Sequence, residues 1–150
     1  MTLSLQEVSD RLEIHDLLIS YTHAIDRRDW DVLDDVFVPD AFIDYTAAGG
    51  GAGDLAATKE FLAAAMPMFT SFQHLTGSTK LTIDGDAATG VSICHNPMVM
   101  EVDGESRTFF VGLWYHDEYV RTGAGWRISK RVEEMCYFHN APEGMVPPGL

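Results

Sequence analysis

A chain of 150 residues with 46% hydrophobic content has the size and apolar content to bury one ordinary domain core, so a single domain spanning 1–150 is expected. Its formal charge of -13 opposes any role in which clustered Lys and Arg neutralise phosphates, which excludes nucleic acid and anionic membrane as expected partners. The opening MTLSLQEVSD carries neither a positive n-region nor a continuous apolar h-region, and no later run reaches membrane-spanning length, so a cytoplasmic location is the default expectation.

From residue 4 to 28 the apolar residues Val8, Leu12, Ile14, Leu17, Leu18, Ile19, Tyr21 and Ile25 recur at helical spacing, with Glu13, Asp16, Ser20 and His23 opposite them. Trp30, Leu33, Val36 and Phe37 predict a second, short helix stopped by Pro39, and residues 41–46 read as a brief strand. The AAGGGAG segment at 47–53 has too little side chain to pack and predicts a flexible loop that could edge a pocket. Asp54 is placed to cap a third helix over 55–66, which Pro67 follows.

Beyond that point the pattern turns to strands over 72–83, 88–102, 106–121 and 126–138, joined by turn signals at Asp84-Gly85, Asp103-Gly104 and Gly123-Ala-Gly. Helices followed by an antiparallel meander define an α+β class rather than a βαβ sheet. The run TFFVGLWY at 108–115 is apolar on both strand faces, although a sheet with one wet face should alternate. Its second face is therefore expected to be buried by self-association. Cys94 and Cys136 lie far apart inside apolar stretches, which predicts buried free thiols rather than a disulfide or zinc site.

Several segments carry a family resemblance. AIDRRDWDVLDDVFVPDAFIDY (24–45) resembles the helix-to-strand passage of the SnoaL-like, nuclear transport factor 2-like superfamily, and QHLTGS (73–78), DGDAATG (84–90) and DEYVRTGAGWRISKR (117–131) resemble its later strands. The resemblance implies a cone-shaped barrel of curved sheet wrapped around N-terminal helices and one deep pocket. Within that superfamily the chain looks most similar to the branch of scytalone dehydratase and hexachlorocyclohexane dehydrochlorinase. That branch implies a lyase that eliminates a leaving group beside an abstracted proton, without a cofactor, and a homotrimer, with a dimer as the alternative.

On this resemblance Asp26 and His74 match the branch's Asp-His pair, Arg131 matches a pocket arginine, and Tyr45 matches a tyrosine that positions a leaving oxygen. Asp26 accepting from one ring nitrogen would leave the other free to take a proton. The residues themselves allow blander readings. Asp26 could pair with Arg27 or Arg28, and His74 could be a core histidine. Arg131 could be a surface residue, since strict alternation sets it opposite Trp126 and Ile128 unless a bulge intervenes.

The substrate pocket is expected to draw on Tyr21, Thr22, Phe42, Phe69, Phe72, Met98, Val111 and Tyr115, with Leu18 and Phe61 beside them, and to suit a small lipophilic ligand. No histidine spacing sets two metal ligands on one face, and no Gly-rich phosphate motif opens a helix, so neither metal nor nucleotide cofactor is expected. The alternatives are an isomerase of the ketosteroid isomerase type, a polyketide cyclase, or a non-catalytic small-ligand or assembly domain.

Overall fold

The computed structural model describes residues 2–148. Helix α1, Leu5–Arg27, opens where the Ser4 hydroxyl accepts from the Glu7 N–H at 3.1 Å, and it closes on Arg28 in a left-handed conformation, φ 56°. Its buried stripe is Ile14, Leu17, Leu18, Tyr21 and Ile25, whereas Val8, Leu12 and Ile19 stay exposed. The apolar arc read from the sequence was therefore too broad, and Asp26 lies part-buried in the last turn.

Residues Trp30–Asp35 form a 3-10 segment, and strand β1, Phe37–Asp44, begins before Pro39 rather than after it. The expected second helix is thus cut short. Pro39 has no N–H to give to a ladder, and β1's pairing with the last strand skips from Phe37 to Phe42 around it. Strand β2, Ala52–Gly53, folds back on β1, and α2, Leu55–Ala65, starts on the Asp54 carboxylate, which accepts from the Ala57 N–H at 2.9 Å.

The remaining strands are β3 (Ser71–Phe72), β4 (Leu75–Asp84), β5 (Ala87–Val102), β6 (Glu105–Thr122) and β7 (Gly125–His139). They form one seven-stranded sheet in the order β2-β1-β7-β6-β5-β3, with β4 also on β5 and β1 parallel to β7. The sheet curves without closing, and α1 packs against both β7 and β4 on its concave side. The α+β class with N-terminal helices inside a curved sheet is the architecture the sequence implied.

Two bulges give β7 its shape. Its ladder with β6 slips at Glu118/Tyr119 and again at Gly112/Leu113, leaving Ser129 and Cys136 as the extra residues. After Ser129 the inward phase changes from Trp126 and Ile128 to Arg131 and Glu133, so Trp126, Ile128 and Arg131 are all buried. Cys136 is pushed outward and exposed, contrary to the expected buried thiol, while Cys94 is buried. Among the described residues, no helix is long and apolar enough to cross a membrane.

Strand alternation on β6 sends Phe109, Val111, Leu113 and Tyr115 into the core and Phe110 and Trp114 to the convex face. There Ile93 and Tyr137 are also exposed, and Tyr137 lies so close over Gly112 that a Cβ would meet its ring at 2.1 Å. The second apolar face of the 108–115 run is thus only half-buried in the chain, with His95 stacked on Phe110.

Candidate active site

An apolar cavity of about 230 Å³ opens between α1, α2 and the concave face of the sheet. Tyr21 and Ile25 reach it from α1, and Phe61, Leu62, Ala65 and Met66 from α2 and the turn after it. Phe69, Met98, Phe109, Val111, Leu113, Tyr115 and Phe138 supply most of the remaining wall. The glycine loop edges it through Ala48, Gly49 and Gly50. Gly50 approaches Tyr45 so closely that a Cβ would lie 2.7 Å from the Tyr45 Cβ, and Gly49 holds φ 87°, which explains the glycines here.

His74 lies in the break between β3 and β4, where the expected continuous strand fails. Its main-chain N–H leaves the ladder and donates to both oxygens of Asp26, at 3.1 and 3.0 Å, and its Nδ1 meets Asp26 Oδ1 at 2.7 Å. Asp26 at the end of α1 thus holds both the backbone and the ring of His74. With a carboxylate facing Nδ1, the proton belongs on that nitrogen and Nε2 is left with its lone pair. Asn96 Nδ2 donates to that lone pair at 3.2 Å. The His74 side chain is only 7% exposed and touches the ring edges of Tyr21 and Phe72.

Tyr45 and Tyr21 share a hydroxyl–hydroxyl hydrogen bond of 2.8 Å at the cavity wall. Burial pushes the Tyr45 phenol well above its ordinary range and raises that of Tyr21, so both stay neutral, and with one hydroxyl donating to the other the pair keeps a single O–H to donate elsewhere.

Arg131 does not line the cavity. It is wholly buried, donating through Nε and Nη2 to Asp117 at 2.7 Å each, with its guanidinium 4.1 Å from the ring centroids of both Tyr21 and Tyr115. The bulge brings it to the inner face, but the two rings stand between it and the ligand space. Of the expected pocket residues, Tyr21, Phe69, Met98, Val111 and Tyr115 line the cavity. Three others do not, and those expectations are corrected. Thr22 turns its hydroxyl back to the Ile19 carbonyl at 2.9 Å. Phe42 points outward and is 47% exposed because its neighbours Ala41 and Ile43 take the inner face. Phe72 packs between Phe69, His74 and the Arg28 guanidinium behind the wall. Leu18 likewise faces a separate shallow groove beside Thr22.

Two polar residues of the cavity escaped the sequence reading. Asn96 was legible in principle, as the amide in the inward series Ser92, Cys94, Asn96, Met98 of β5. Glu133 was hidden by the Ser129 bulge, without which alternation places it outside. The residue is half-buried overall, but its carboxyl is enclosed. Oε2 is buried with no hydrogen-bond partner, and burial, opposed by Arg131 and reinforced by Asp44, pushes its pKa up to about 8. Among the described residues, no group of three or more His, Cys, Asp or Glu is arranged to hold a metal ion.

The SnoaL-like domain family matches residues 6–132, and the chain belongs to that family. It is 47% identical over 135 residues to the uncharacterized protein Rv2910c of Mycobacterium tuberculosis, covering 90% of this chain and 91% of that one. Many solved structures share its fold, three of them as follows. A protein from Novosphingobium aromaticivorans assigned as an aromatic ring hydroxylase superposes with a TM-score of 0.80 at 27% identity, over 89% of this chain and 94% of that one. One from the same organism assigned as a scytalone dehydratase gives 0.79 at 18% identity, over 95% of each chain. The hexachlorocyclohexane dehydrochlorinase LinA-type3 of Novosphingobium barchaimii LL02 gives 0.79 at 23%, over 96% and 99%. The last two similarities establish the common fold.

Proposed function

We propose that the protein is a cofactor-independent lyase that removes a carbon-bound proton from a small hydrophobic substrate and expels a group from the neighbouring carbon. The observation that supports this most is the His74 ring, held by Asp26 through Nδ1 at the wall of an apolar cavity, with Nε2 accepting from the neutral Asn96 amide. His74 Nε2 exchanges the Asn96 hydrogen bond for the substrate proton, and Asp26 stabilises the imidazolium that results. The Tyr21–Tyr45 hydroxyl pair donates to a substrate carbonyl oxygen on which negative charge gathers. Arg131 acts from beneath, as a fixed positive charge behind the Tyr21 and Tyr115 rings, and not by touching substrate.

One observation also favours an isomerase. A tyrosine hydroxyl together with a neutral carboxyl is the type of donor set that stabilises an enolate in ketosteroid isomerase, the example from which that pattern is drawn. A histidine base with an aspartate partner, in place of a lone aspartate base, favours elimination. The two separate when β-hydroxy and β-halo ketones and alicyclic halides are incubated with the protein in deuterated water. Loss of water or hydrogen halide supports the lyase, whereas deuterium exchange or double-bond migration without loss supports the isomerase. Ligand binding with neither supports a binding domain.

Tyr45→Phe is expected to lower kcat by about 10²–10³ with a change in melting temperature of only a few degrees, because one preorganised donor is lost and little packing changes. Unchanged kcat would return Tyr45 to a packing role. Self-association through the convex face, as a homotrimer or a dimer, is part of the same proposal, resting on exposed Ile93 and Tyr137 beside Phe110 and Trp114. Light scattering at micromolar concentration should give a mass above one subunit, and Trp114→Glu should lower it. A monomeric wild-type mass would overturn this.

A further inference from the structure

Among the described residues Glu133 carries the one carboxyl that lines the cavity, and the dyad chemistry leaves it unused. Its position is fixed by the sheet. In the β6–β7 ladder it stands directly opposite Tyr115, so the two side chains share the concave face a few ångströms apart. Tyr115 in turn meets the Tyr21 ring edge-on at 5.7 Å, and Tyr21 meets the His74 ring at 6.4 Å. Carboxyl and imidazole thus line one apolar cavity, and the Tyr115 and Tyr21 rings continue its wall from one to the other. Arg131 is two residues away, with Nε and Nη2 committed to Asp117 and Nη1 buried without a partner, yet it makes no hydrogen bond to Glu133, whose Oε2 is likewise enclosed without any partner. A carboxyl so enclosed disfavours ionisation and carries a hydrogen-bonding atom that only a bound molecule or solvent can satisfy.

We propose that Glu133 is the general acid of the site and that it delivers its proton to a departing oxygen, which makes the substrate a β-hydroxy carbonyl compound rather than a halide. This rests on the lyase reading above. The division of labour follows from the chemistry of each donor. Tyr21 and Tyr45, neutral far into the alkaline range, donate hydrogen bonds but do not surrender protons near neutral pH. A carbonyl oxygen needs only such a hydrogen bond, whereas hydroxide is a poor leaving group until it is protonated. Halide leaves without a proton and would give Glu133 nothing to do. In the step itself, His74 Nε2 accepts the proton from carbon, and the C–H electron pair becomes the new C=C bond. The C–O bond breaks with its pair on oxygen, and the Glu133 proton completes water. Imidazolium and carboxylate remain, and exchange with solvent returns the proton from one to the other.

The titratable and charged groups within electrostatic reach of Glu133 are Tyr21 from α1, Asp44 and Tyr45 from β1 and the turn after it, Cys94 from β5, Tyr115 from β6, and Arg131 from its own strand. Infrared difference spectra of the free protein between mildly acidic and alkaline pH should therefore show a protonated-carboxyl band at neutral pH that is absent in Glu133→Gln. Ionised Glu133 at neutral pH overturns the proposal outright. Activity is then read on two ketones of one carbon skeleton, bearing a β-hydroxyl or a β-para-nitrophenoxy group, the latter leaving without a proton. Glu133→Gln is expected to slow the hydroxy ketone by about 10²–10⁴ and the nitrophenoxy ketone by less than tenfold, while His74→Ala slows both. Equal loss, or no loss, in Glu133→Gln removes Glu133 from the chemistry and leaves the lyase standing. Elimination from neither ketone by the wild type, or from both at full rate by His74→Ala, removes the lyase reading beneath it.

Discussion

His74→Ala is expected to reduce elimination by about 10²–10⁴ while ligand affinity for the cavity is nearly unchanged, because the ring contributes a proton acceptor and only one edge of an extensive apolar wall. Asp26→Asn should be at least as severe, about 10³–10⁴, on the general ground that an amide neither stabilises imidazolium nor enforces the tautomer. Asp26 has a second duty. Its carboxylate also accepts the His74 main-chain N–H, so Asp26→Asn presents an NH₂ to donors and loosens the β3–β4 break. His74→Ala keeps that backbone bond and is the cleaner variant. Steady-state rates, a binding isotherm with a competitive ligand and a melting curve together separate the outcomes. Full activity in His74→Ala would end the dyad proposal, and loss of binding with no chemistry in the wild type would make the protein a receptor.

Arg131→Met is expected to destabilise the protein by about 3–5 kcal/mol, because it strands the Asp117 carboxylate in a site with no exposure. Asp117 retains only the Tyr119 hydroxyl at 3.0 Å as a donor. The guanidinium also fills the space between Tyr21 and Tyr115, so its loss disturbs the cavity wall that the two rings form. The double variant Arg131→Met, Asp117→Leu removes both charges and should recover most of the loss, since well-packed apolar replacement of a buried pair is often neutral. Urea unfolding of the three proteins measures this. A stable single variant with lowered turnover would show that the arginine serves chemistry more than architecture.

The sequence by itself determined the class of the fold, the α1 helix, the Asp54 cap of α2, and the order of the four long strands. These are local matters, decided by spacing, capping chemistry and turn residues. The Asp26 and His74 side chains were also legible, but through resemblance to a family and not through spacing, since 48 residues separate them. What the sequence left open was decided by sheet register. The extra residue at Ser129 carries Arg131 into the core and Glu133 to the cavity, and no local pattern marks it, because a bulge is set by how β6 and β7 pair over their whole length. Alternation beyond Pro39 turned Phe42 outward, and the β3–β4 break put Phe72 behind the wall rather than in it. Periodicity states which residues share a face; only pairing with a neighbouring strand states which face meets the ligand.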